Sequence, residues 1–220
     1  MVDRRRRAEG ANTYERILRA AADLASLEGL ERVTIGRLAD ELAMSKSGLF
    51  AHFGSKEELH LAAIEAARQR FVAAVIEPAL KAPRGIARLE ALCQKCIDYI
   101  AKPEFPGGCF FDMTRAEFHM RPGPVRDAIM ANKQAWRQLL VDVANQARTQ
   151  GELASNTDTE QLAFELEAVL DLPSWSVGDD SLELELQRAR RGVDKLLGSA
   201  RTPAAQRPPL AKRSRQRVGG

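Results

Sequence analysis

The stretch Met44–Leu59 reads MSKSGLFAHFGSKEEL, and it decides how the first part of the chain folds. Ser45 and Ser55 stand near its two ends, and a lysine directly follows each of them. Serine is favourable at the start of a helix, because its hydroxyl oxygen accepts a hydrogen bond from a free backbone N–H of the first turn. Ser45 therefore predicts a short helix through Phe53, and Ser55 predicts a longer helix that starts after Gly54.

Two more helices are predicted before this stretch. From Tyr14 onward, apolar residues recur with the i, i+3, i+4, i+7 spacing of an amphipathic helix, and Thr13 or the residue before it can cap that helix. Thr34 caps a second helix, which reads IGRLADELA. Ala39 on this helix is small enough to let the helix capped by Ser45 cross it closely. Two short helices joined by a tight turn and packed on a third form a helix-turn-helix unit.

The composition predicts an all-α fold for the whole chain. Hydrophobic residues make up 45% and charged residues 29%, which is ordinary for a globular protein. Helix-forming residues dominate, and no apolar run is long enough to span a membrane. The three cysteines, an odd number, favour a reducing compartment over a disulfide scaffold. After the first four helices, apolar periodicity and proline positions predict helices at about 84–101, 108–118, 123–151, 157–175 and 180–197, about nine helices in all.

The exposed side of the helix capped by Ser45 is the candidate DNA-contacting surface. A recognition helix presents its N-terminal residues to base edges, and its free N–H groups favour phosphate. A lysine in the first turn of a helix opposes the helix dipole, so Lys56 is best explained by a nearby phosphate. The residues predicted to read or approach bases are Lys46, Ser47 and His52. Those predicted to hold the DNA backbone are Thr34, Ser45, Phe50 and Lys56.

Residues 14–60, with TIGRLADELAMSKSGLFAHFGSKEEL at their centre, resemble the DNA-binding domain of the TetR family of bacterial transcriptional repressors. The resemblance implies a homodimer that binds a palindromic operator in the bacterial cytoplasm, on the nucleoid. It also implies a small-molecule effector pocket in the C-terminal body, with release of DNA when that pocket is filled. Three residues depart from the family pattern, and they leave the preferred DNA sequence open: Ala43 where glycine is frequent, Gly48 in place of threonine, and Phe50 in place of tyrosine.

The chain divides into four predicted segments. Residues 1–11 form a disordered basic arm, residues 12–58 the helix-turn-helix domain, residues 59–197 a helical effector-binding and dimerisation domain, and residues 198–220 a disordered tail. Arg4–Arg7 in the arm are expected to follow the minor groove of DNA. The tail carries six basic and no acidic residues, and solvated disorder is preferred to contact with a polyanion as its explanation.

The effector pocket is expected among the large apolar residues of the C-terminal body, and its ligand is expected to be apolar or mixed in character. Some of these residues are expected to belong to the hydrophobic core instead. The candidate lining residues are Phe71, Val75, Phe110, Met113, Phe118, Trp136, Leu140, Phe164 and Trp175.

The cysteines and histidines are weak candidates for metal or catalytic sites. Cys93 and Cys96 form CQKC inside a helical pattern with no second CxxC, which favours buried side chains, and no metal or cofactor is predicted. Cys109 follows Pro-Gly-Gly at a predicted helix start, where a thiolate is favoured. An electrophile-sensing or redox-sensing repressor acting through Cys109 is the alternative function. His60 and His119 are predicted to lie on the surface.

The last two long helices are expected to form the dimer interface that the resemblance implies. The alternative is that their apolar positions are buried within one chain. These positions are Leu162, Leu166, Val169 and Leu170 on one helix and Leu182, Leu186, Ala189, Val193 and Leu196 on the other. Two rival functions remain. An enzyme has no metal, nucleotide-loop or triad motif to support it. A structural DNA-coating protein would depend on the basic ends of the chain.

Overall fold

The computed structural model describes residues 2–202, with side chains from Gly10 onward except that of Ala11. Nine helices fill this part of the chain, as the sequence predicted, and it contains no β-strand beyond an isolated bridge between Leu153 and Arg201. The helices are α1 (Val2–Glu28), α2 (Ile35–Leu42), α3 (Lys46–Phe50), α4 (Lys56–Phe71, continued by a π-helical segment Val72–Ile76 and by Glu77–Leu80), α5 (Ile86–Ala101), α6 (Phe110–Phe118), α7 (Pro124–Thr149), α8 (Thr159–Asp171) and α9 (Leu182–Ala200). Short 3-10 helices lie at Leu30–Arg32 and Leu172–Ser176.

The helix caps predicted at Thr34, Ser45 and Ser55 are confirmed, whereas the cap predicted at Thr13 or the residue before it is wrong, because α1 already begins at Val2. The side-chain oxygens of Thr34, Ser45 and Ser55 each accept a hydrogen bond of 3.1 Å from the backbone N–H three residues later. Each of these interactions stabilises a helix start by about 1 kcal/mol. They fix the points at which α2, α3 and α4 begin, and α3 in particular is too short to form without such support.

The turn between α2 and α3 keeps a left-handed backbone although alanine occupies it. Ala43 has φ 51° and ψ 40°, and it is the only non-glycine residue with a positive φ in the described chain. The N–H of Met44 donates to the carbonyl of Ala39 at 2.9 Å and closes the turn. The tight packing of the two short helices therefore outweighs a local cost of about 1–2 kcal/mol.

Both ends of the described chain are more ordered than the sequence predicted. The helix α1 begins at Val2, whereas residues 1–11 were expected to be disordered. These residues include four arginines and two alanines, which favour helices, and extending an existing helix costs less free energy than starting one. At the other end α9 continues to Ala200, and the N–H of Thr202 donates to the carbonyl of Glu152. The basic tail from 203 to 220 lies outside the described residues.

One hydrophobic core runs from the helix-turn-helix unit into the larger helical body. In the first unit Ile17, Leu38, Leu49 and Phe53 are buried against one another. The helix α4 packs on α1 and then continues against α5 and α7, so the domain boundary expected between residues 58 and 59 falls inside a helix. None of the described helices is both long and apolar enough to span a membrane.

Candidate nucleic-acid interface and internal cavity

The helix α3 presents a polar, exposed N-terminal end to solvent. Lys46 and Ser47 begin the helix and are exposed, while Leu49 on the opposite face is fully buried. Phe50 exposes 58% of its surface, which is unusual for a phenylalanine next to a buried leucine. The buried side fixes how α3 is seated, and the exposed side is free to approach a ligand.

His52 lies at the far end of this exposed face, beside an aromatic group. Its ring centroid is 6.0 Å from that of Tyr14, and Tyr14 in turn stacks on the buried Phe53 at 5.4 Å. Tyr14 exposes 37% of its surface on the same side of the unit. In the sequence Tyr14 served only to mark the start of a helix. Its aromatic character was the one signal that it could pack beside the DNA-contacting surface.

Thr34 and Lys56 flank α3, and both already have partners within the protein. Thr34 is exposed and its hydroxyl oxygen caps α2. The ammonium of Lys56 is 2.6 Å from a carboxylate oxygen of Glu31, and this hydrogen bond is the main reason why the pKa of Glu31 is lowered. Both side chains are close to half exposed, and exposed ion pairs stabilise by only about 0–1 kcal/mol. A phosphate group can therefore compete with Glu31 for Lys56.

A carboxylate from the helical body holds the turn that leads into α2. Glu117, near the end of α6, accepts hydrogen bonds from the backbone N–H groups of Leu30 at 2.7 Å and Glu31 at 3.0 Å. Gly29 just before them has φ 89°, which aims both N–H groups at the carboxylate. Nearby, the N–H of Gly107 donates to the hydroxyl of Ser26 at 3.0 Å. The segment 105–118 thus ties α1 and the turn after it to the body.

His60 is buried, so the prediction of a surface position is wrong. It exposes only 3% of its surface, and its Nε2 lies 2.9 Å from the carbonyl oxygen of Val33. The ring of Phe118 meets it edge-on at 6.3 Å. Burial is the main cause that lowers the pKa of His60. The sequence shows that His60 follows a core leucine, but the element covering that side of α4 comes from far away in the chain.

A cavity of about 90 Å³ lies inside the helical body, bounded by α4, α5, α6, α7 and α8. Most of its wall is apolar or aromatic, with two thiols among these residues. The members of this part of the wall are Phe71, Cys96, Tyr99, Ile100, Cys109, Phe111, Ile129, Trp136 and Leu170.

The other side of the cavity is a network of ion pairs. Asp171 lies 3.4 Å from Arg115 and 3.0 Å from Lys133. Arg115 also lies 3.5 Å from Asp112, which accepts a 2.5 Å hydrogen bond from the hydroxyl of Ser174. Burial is the main cause that raises the pKa of Asp112, and the hydrogen bond from Ser174 opposes that shift. These charges meet because α6, α7 and α8 bring them together at the cavity.

Glu167 extends the same network and is the most buried acidic residue in it. It exposes 2% of its surface, and its two oxygens lie 2.7 Å from Nζ of Lys133 and 2.6 Å from Nε of Arg137. A buried carboxylate without such partners would be strongly destabilising. The network therefore explains how charged residues are accommodated in this wall.

Of the nine residues predicted to line a pocket, the structure places Phe71 and Trp136 on the cavity wall. Their rings meet edge-on at 5.4 Å. The other seven lie elsewhere: Val75, Phe110 and Leu140 are fully buried in the core, Phe118 packs on His60, and Met113, Phe164 and Trp175 expose 36%, 52% and 56% of their surface.

Sequence reasoning missed Tyr99 and all the charged residues of the wall. A signal existed for part of the set, because Glu167 and Asp171 are four residues apart beside the apolar positions of α8. No rule of spacing, however, connects them with Arg115 or Lys133 on other helices.

The three cysteines are free, and their surroundings favour the thiol over the thiolate. Burial raises the pKa of Cys93 to about 12 and is also the main cause that raises the pKa of Cys96 well above its usual range. Cys109 precedes α6 as predicted, but burial, followed by the negative charge of Asp112, raises its pKa well above the usual range. Backbone hydrogen bonds at the start of α6 lower the pKa of Cys109, but by less than burial raises it. These surroundings disfavour a reactive thiolate at Cys109. Within the described chain, no group of three His, Cys, Asp or Glu residues is arranged to hold a metal ion.

The apolar faces of α8 and α9 expected at a dimer interface are mostly used within the chain. Leu162, Leu166, Leu170, Leu186, Ala189 and Val193 are buried, and Val169, Leu182 and Leu196 are partly buried. Other apolar side chains of this region face solvent instead. These are Phe164, Leu172, Trp175 and Leu184, exposed by 52%, 61%, 56% and 45%.

An exposed, capped recognition helix on a helical body with an internal cavity defines a helix-turn-helix transcriptional regulator. Residues 17–63 match the family model described as bacterial regulatory proteins, tetR family, and residues 85–172 match that of the tetracyclin repressor-like C-terminal domain. The chain belongs to the TetR family of transcriptional regulators.

Individual relatives agree with this assignment. The chain is 25% identical over 205 residues to the HTH-type transcriptional repressor BepR of Brucella suis, covering 91% of this chain and 98% of BepR. Among solved structures, a TetR regulator from Chloroflexus aurantiacus superposes with a TM-score of 0.76 at 21% identity, covering 87% of this chain and 95% of that one. AibR in complex with isovaleryl coenzyme A and operator DNA gives 0.66 at 24% identity, covering 84% and 97%. Both structural likenesses show the fold.

Proposed function

We propose that this protein is a ligand-responsive repressor that binds a palindromic operator as a homodimer and leaves it when a small molecule fills the internal cavity. The observation that carries this proposal is the position of α6. Its first turns supply Asp112 and Arg115 to the cavity, and its end supplies Glu117 to the turn before α2. A change at the cavity thus has a short, hydrogen-bonded path to the DNA-contacting unit. The protein acts on nucleoid DNA in the bacterial cytoplasm.

The DNA contacts are assigned from exposure and charge. Lys46, Ser47 and His52 approach base edges, because Lys46 and Ser47 stand at the exposed start of α3 and His52 stands in the exposed turn after it. Phe50 and the helix start at Ser45 lie against the sugar-phosphate backbone, with Thr34 and Lys56 to either side. Arg4–Arg7 lie among the residues whose side chains are not described, and a minor-groove role for them remains part of the proposal.

The proposed homodimer uses the exposed apolar side chains around α8 and α9. Large apolar side chains exposed to solvent favour an interaction site, and a twofold pair of reading heads requires a twofold interface. Phe164→Glu should shift the mass measured by sedimentation from dimer to monomer. Met120→Glu, at an apolar residue that is 79% exposed outside this surface, should leave the mass unchanged. Equal effects of the two variants would contradict this interface.

The AibR structure supports the two classes of ligand, since that protein was solved with both a small molecule and operator DNA. Because a protein of the same fold binds both ligands, the best-supported arrangement for this chain is DNA at the helix-turn-helix unit and a small molecule in the cavity. BepR, whose name describes a repressor, supports the direction of control.

The decisive experiment is selection of bound duplexes from a random DNA pool with the full-length protein at physiological salt. We expect an enriched palindrome whose half-sites are about one helical turn apart. Enrichment of no sequence over random competitor would contradict the proposal. Deleting residues 203–220 separates this proposal from a DNA-coating role, because a coating protein would lose most of its affinity and a repressor little. Chemical turnover of a bound small molecule would favour an enzyme instead.

A further inference from the structure

The ion-pair network on one side of the cavity has no net charge when it is counted with Arg137, which pairs with Glu167 from outside the lining. Three carboxylates, those of Asp112, Glu167 and Asp171, meet the two cations of the wall, Arg115 and Lys133. A third cation, Arg137, lies behind the wall and pairs with Glu167. Each carboxylate lies within 3.5 Å of at least one of these cations. A charged ligand group entering this wall would have to separate an existing pair, and a buried charge that loses its partner is strongly unfavourable. The charge balance therefore selects against both anions and cations.

Tyr99 supplies a buried, uncharged polar group of the wall whose hydroxyl has no hydrogen-bonding partner in the described part of the chain. It exposes 6% of its surface. The edge of its ring packs on Phe71 at 5.3 Å, which holds the side chain in the wall. Burial raises the pKa of Tyr99 far above neutrality, so the hydroxyl stays protonated and uncharged. Buried hydroxyl groups normally find a partner, so this one is a ready site for a ligand atom.

The remaining walls restrict the size and surface of that ligand. Phe71, Phe111 and Trp136 supply aromatic surface, and Ile100, Ile129 and Leu170 supply aliphatic surface. The volume of about 90 Å³ is well below the 300–1,000 Å³ that is usual for drug-sized ligands. The cavity thus suits a compact group about the size of one aromatic ring.

We propose that the cavity binds an uncharged, compact, mainly apolar molecule that carries one hydroxyl or carbonyl oxygen, and that this oxygen pairs with the hydroxyl of Tyr99. Monocyclic alcohols and phenols are the class with these properties. This inference rests on the proposed function in taking the cavity as the effector site. It differs from the anionic ligand in the AibR complex, and the balanced charge of the ion-pair network is the reason.

Four probes of similar shape test the proposal by direct binding to the full-length protein, with ligand-observed NMR titration. They are benzyl alcohol, ethylbenzene, benzylammonium and benzoate. We expect benzyl alcohol to bind most tightly and the two ions to bind at least tenfold more weakly. Equal or tighter binding of benzoate or benzylammonium, or no binding of benzyl alcohol up to its solubility, would overturn the proposal.

The Tyr99→Phe variant tests the assigned hydrogen bond. It should weaken benzyl alcohol about five- to tenfold and leave ethylbenzene unchanged, since one neutral hydrogen bond is lost. Tyr14→Phe is the matched control, because Tyr14 is the other tyrosine of the chain and lies in the helix-turn-helix unit. Unchanged benzyl alcohol binding in Tyr99→Phe contradicts the assigned contact. If that variant does not fold, the ranking of the four probes on the unmodified protein still decides the charge preference.

These outcomes are separable from failure of the proposed function. Probe binding is measured without DNA, and DNA selection is measured without a probe. A protein that selects a palindrome but prefers a charged probe would refute only the ligand class. A protein that binds benzyl alcohol but selects no DNA would refute only the regulator.

Discussion

Glu117→Gln is the substitution that most directly tests the link between the helical body and the DNA-contacting unit. Glu117 stands on α6, and its carboxylate accepts the N–H groups of Leu30 and Glu31 at 2.7 and 3.0 Å. Glutamine has nearly the same shape, but it keeps only one acceptor oxygen and turns an NH₂ group toward the other backbone N–H. The variant therefore loses one charge-assisted hydrogen bond and leaves a half-buried donor facing another donor.

The magnitude follows from these two bonds. A hydrogen bond to a charged group contributes about 1.5–3 kcal/mol, and partial exposure of this site places the loss near the lower half of that range, at about 2 kcal/mol. For a chain of this length, 1 kcal/mol corresponds to a shift in Tm of about 2–4 °C. Glu117→Gln should therefore lower Tm by about 4–8 °C. It should also reduce the factor by which a cavity ligand changes operator affinity, because the turn is then held less firmly to α6.

Thermal unfolding and operator binding with and without ligand measure the two effects. Glu165→Gln is the matched control, because Glu165 accepts a single exposed hydrogen bond from Gln161. That control should change Tm by less than about 1 °C, as is usual for surface substitutions. If Glu117→Gln matches the control in both measurements, the carboxylate does not couple the two parts of the molecule and this reasoning is wrong.

Three further substitutions test other contacts. Lys56→Ala should weaken operator binding and flatten the dependence of log K on log salt by about 0.9, since one phosphate contact is lost. His60→Gln should remove one source of acid sensitivity from the stability of the fold. Because the pKa of His60 is lowered in the folded state, the contribution of His60 to stability is present above pH 6.5 and is lost as pH falls through the folded-state pKa. Tm measured against pH for the wild type and the variant tests this. Gly107→Ala should destabilise the fold by about 1–3 kcal/mol, because a Cβ there would overlap the backbone of Ser26.

Each of these has an outcome that contradicts it. An unchanged salt slope in Lys56→Ala would mean that Lys56 serves only Glu31. Identical acid profiles for the wild type and His60→Gln would assign the acid sensitivity to other groups. Gly198→Ala is the control for Gly107→Ala, because a Cβ at Gly198 meets nothing within 4 Å. Equal stability of the two glycine variants would show that the segment 105–118 shifts to accommodate the added Cβ at little cost in stability.

The parts of this fold that depend on near neighbours could be predicted from the sequence. The hydroxyls of Thr34, Ser45 and Ser55 act within their own first turns, so the starts of α2, α3 and α4 were predictable. The apolar periodicity likewise fixed the helical class of the body. These features need no knowledge of how the helices pack.

The parts that depend on packing could not be predicted. Glu117 meets Leu30 across 87 residues, and nothing in the local spacing of either residue marks that contact. The position of His60 in the sequence suggests a surface residue, because the loop that carries Val33 and covers it is distant in the chain. The cavity wall combines side chains from five helices, so large apolar residues alone identified only two of its members.

The helix α4 is not a uniform rod between cavity and DNA-contacting unit. Within Val72–Ile76 it is π-helical, and the N–H of Glu77 reaches back to the carbonyl of Val72. Such wide turns are rare, and they are among the few places where a long helix bends sharply. Phe71, on the cavity wall, stands just before this turn. A displacement of that wall can therefore be taken up by bending within α4. The shorter, uninterrupted α6 is then the stiffer of the two helices that connect the cavity with the DNA-contacting unit.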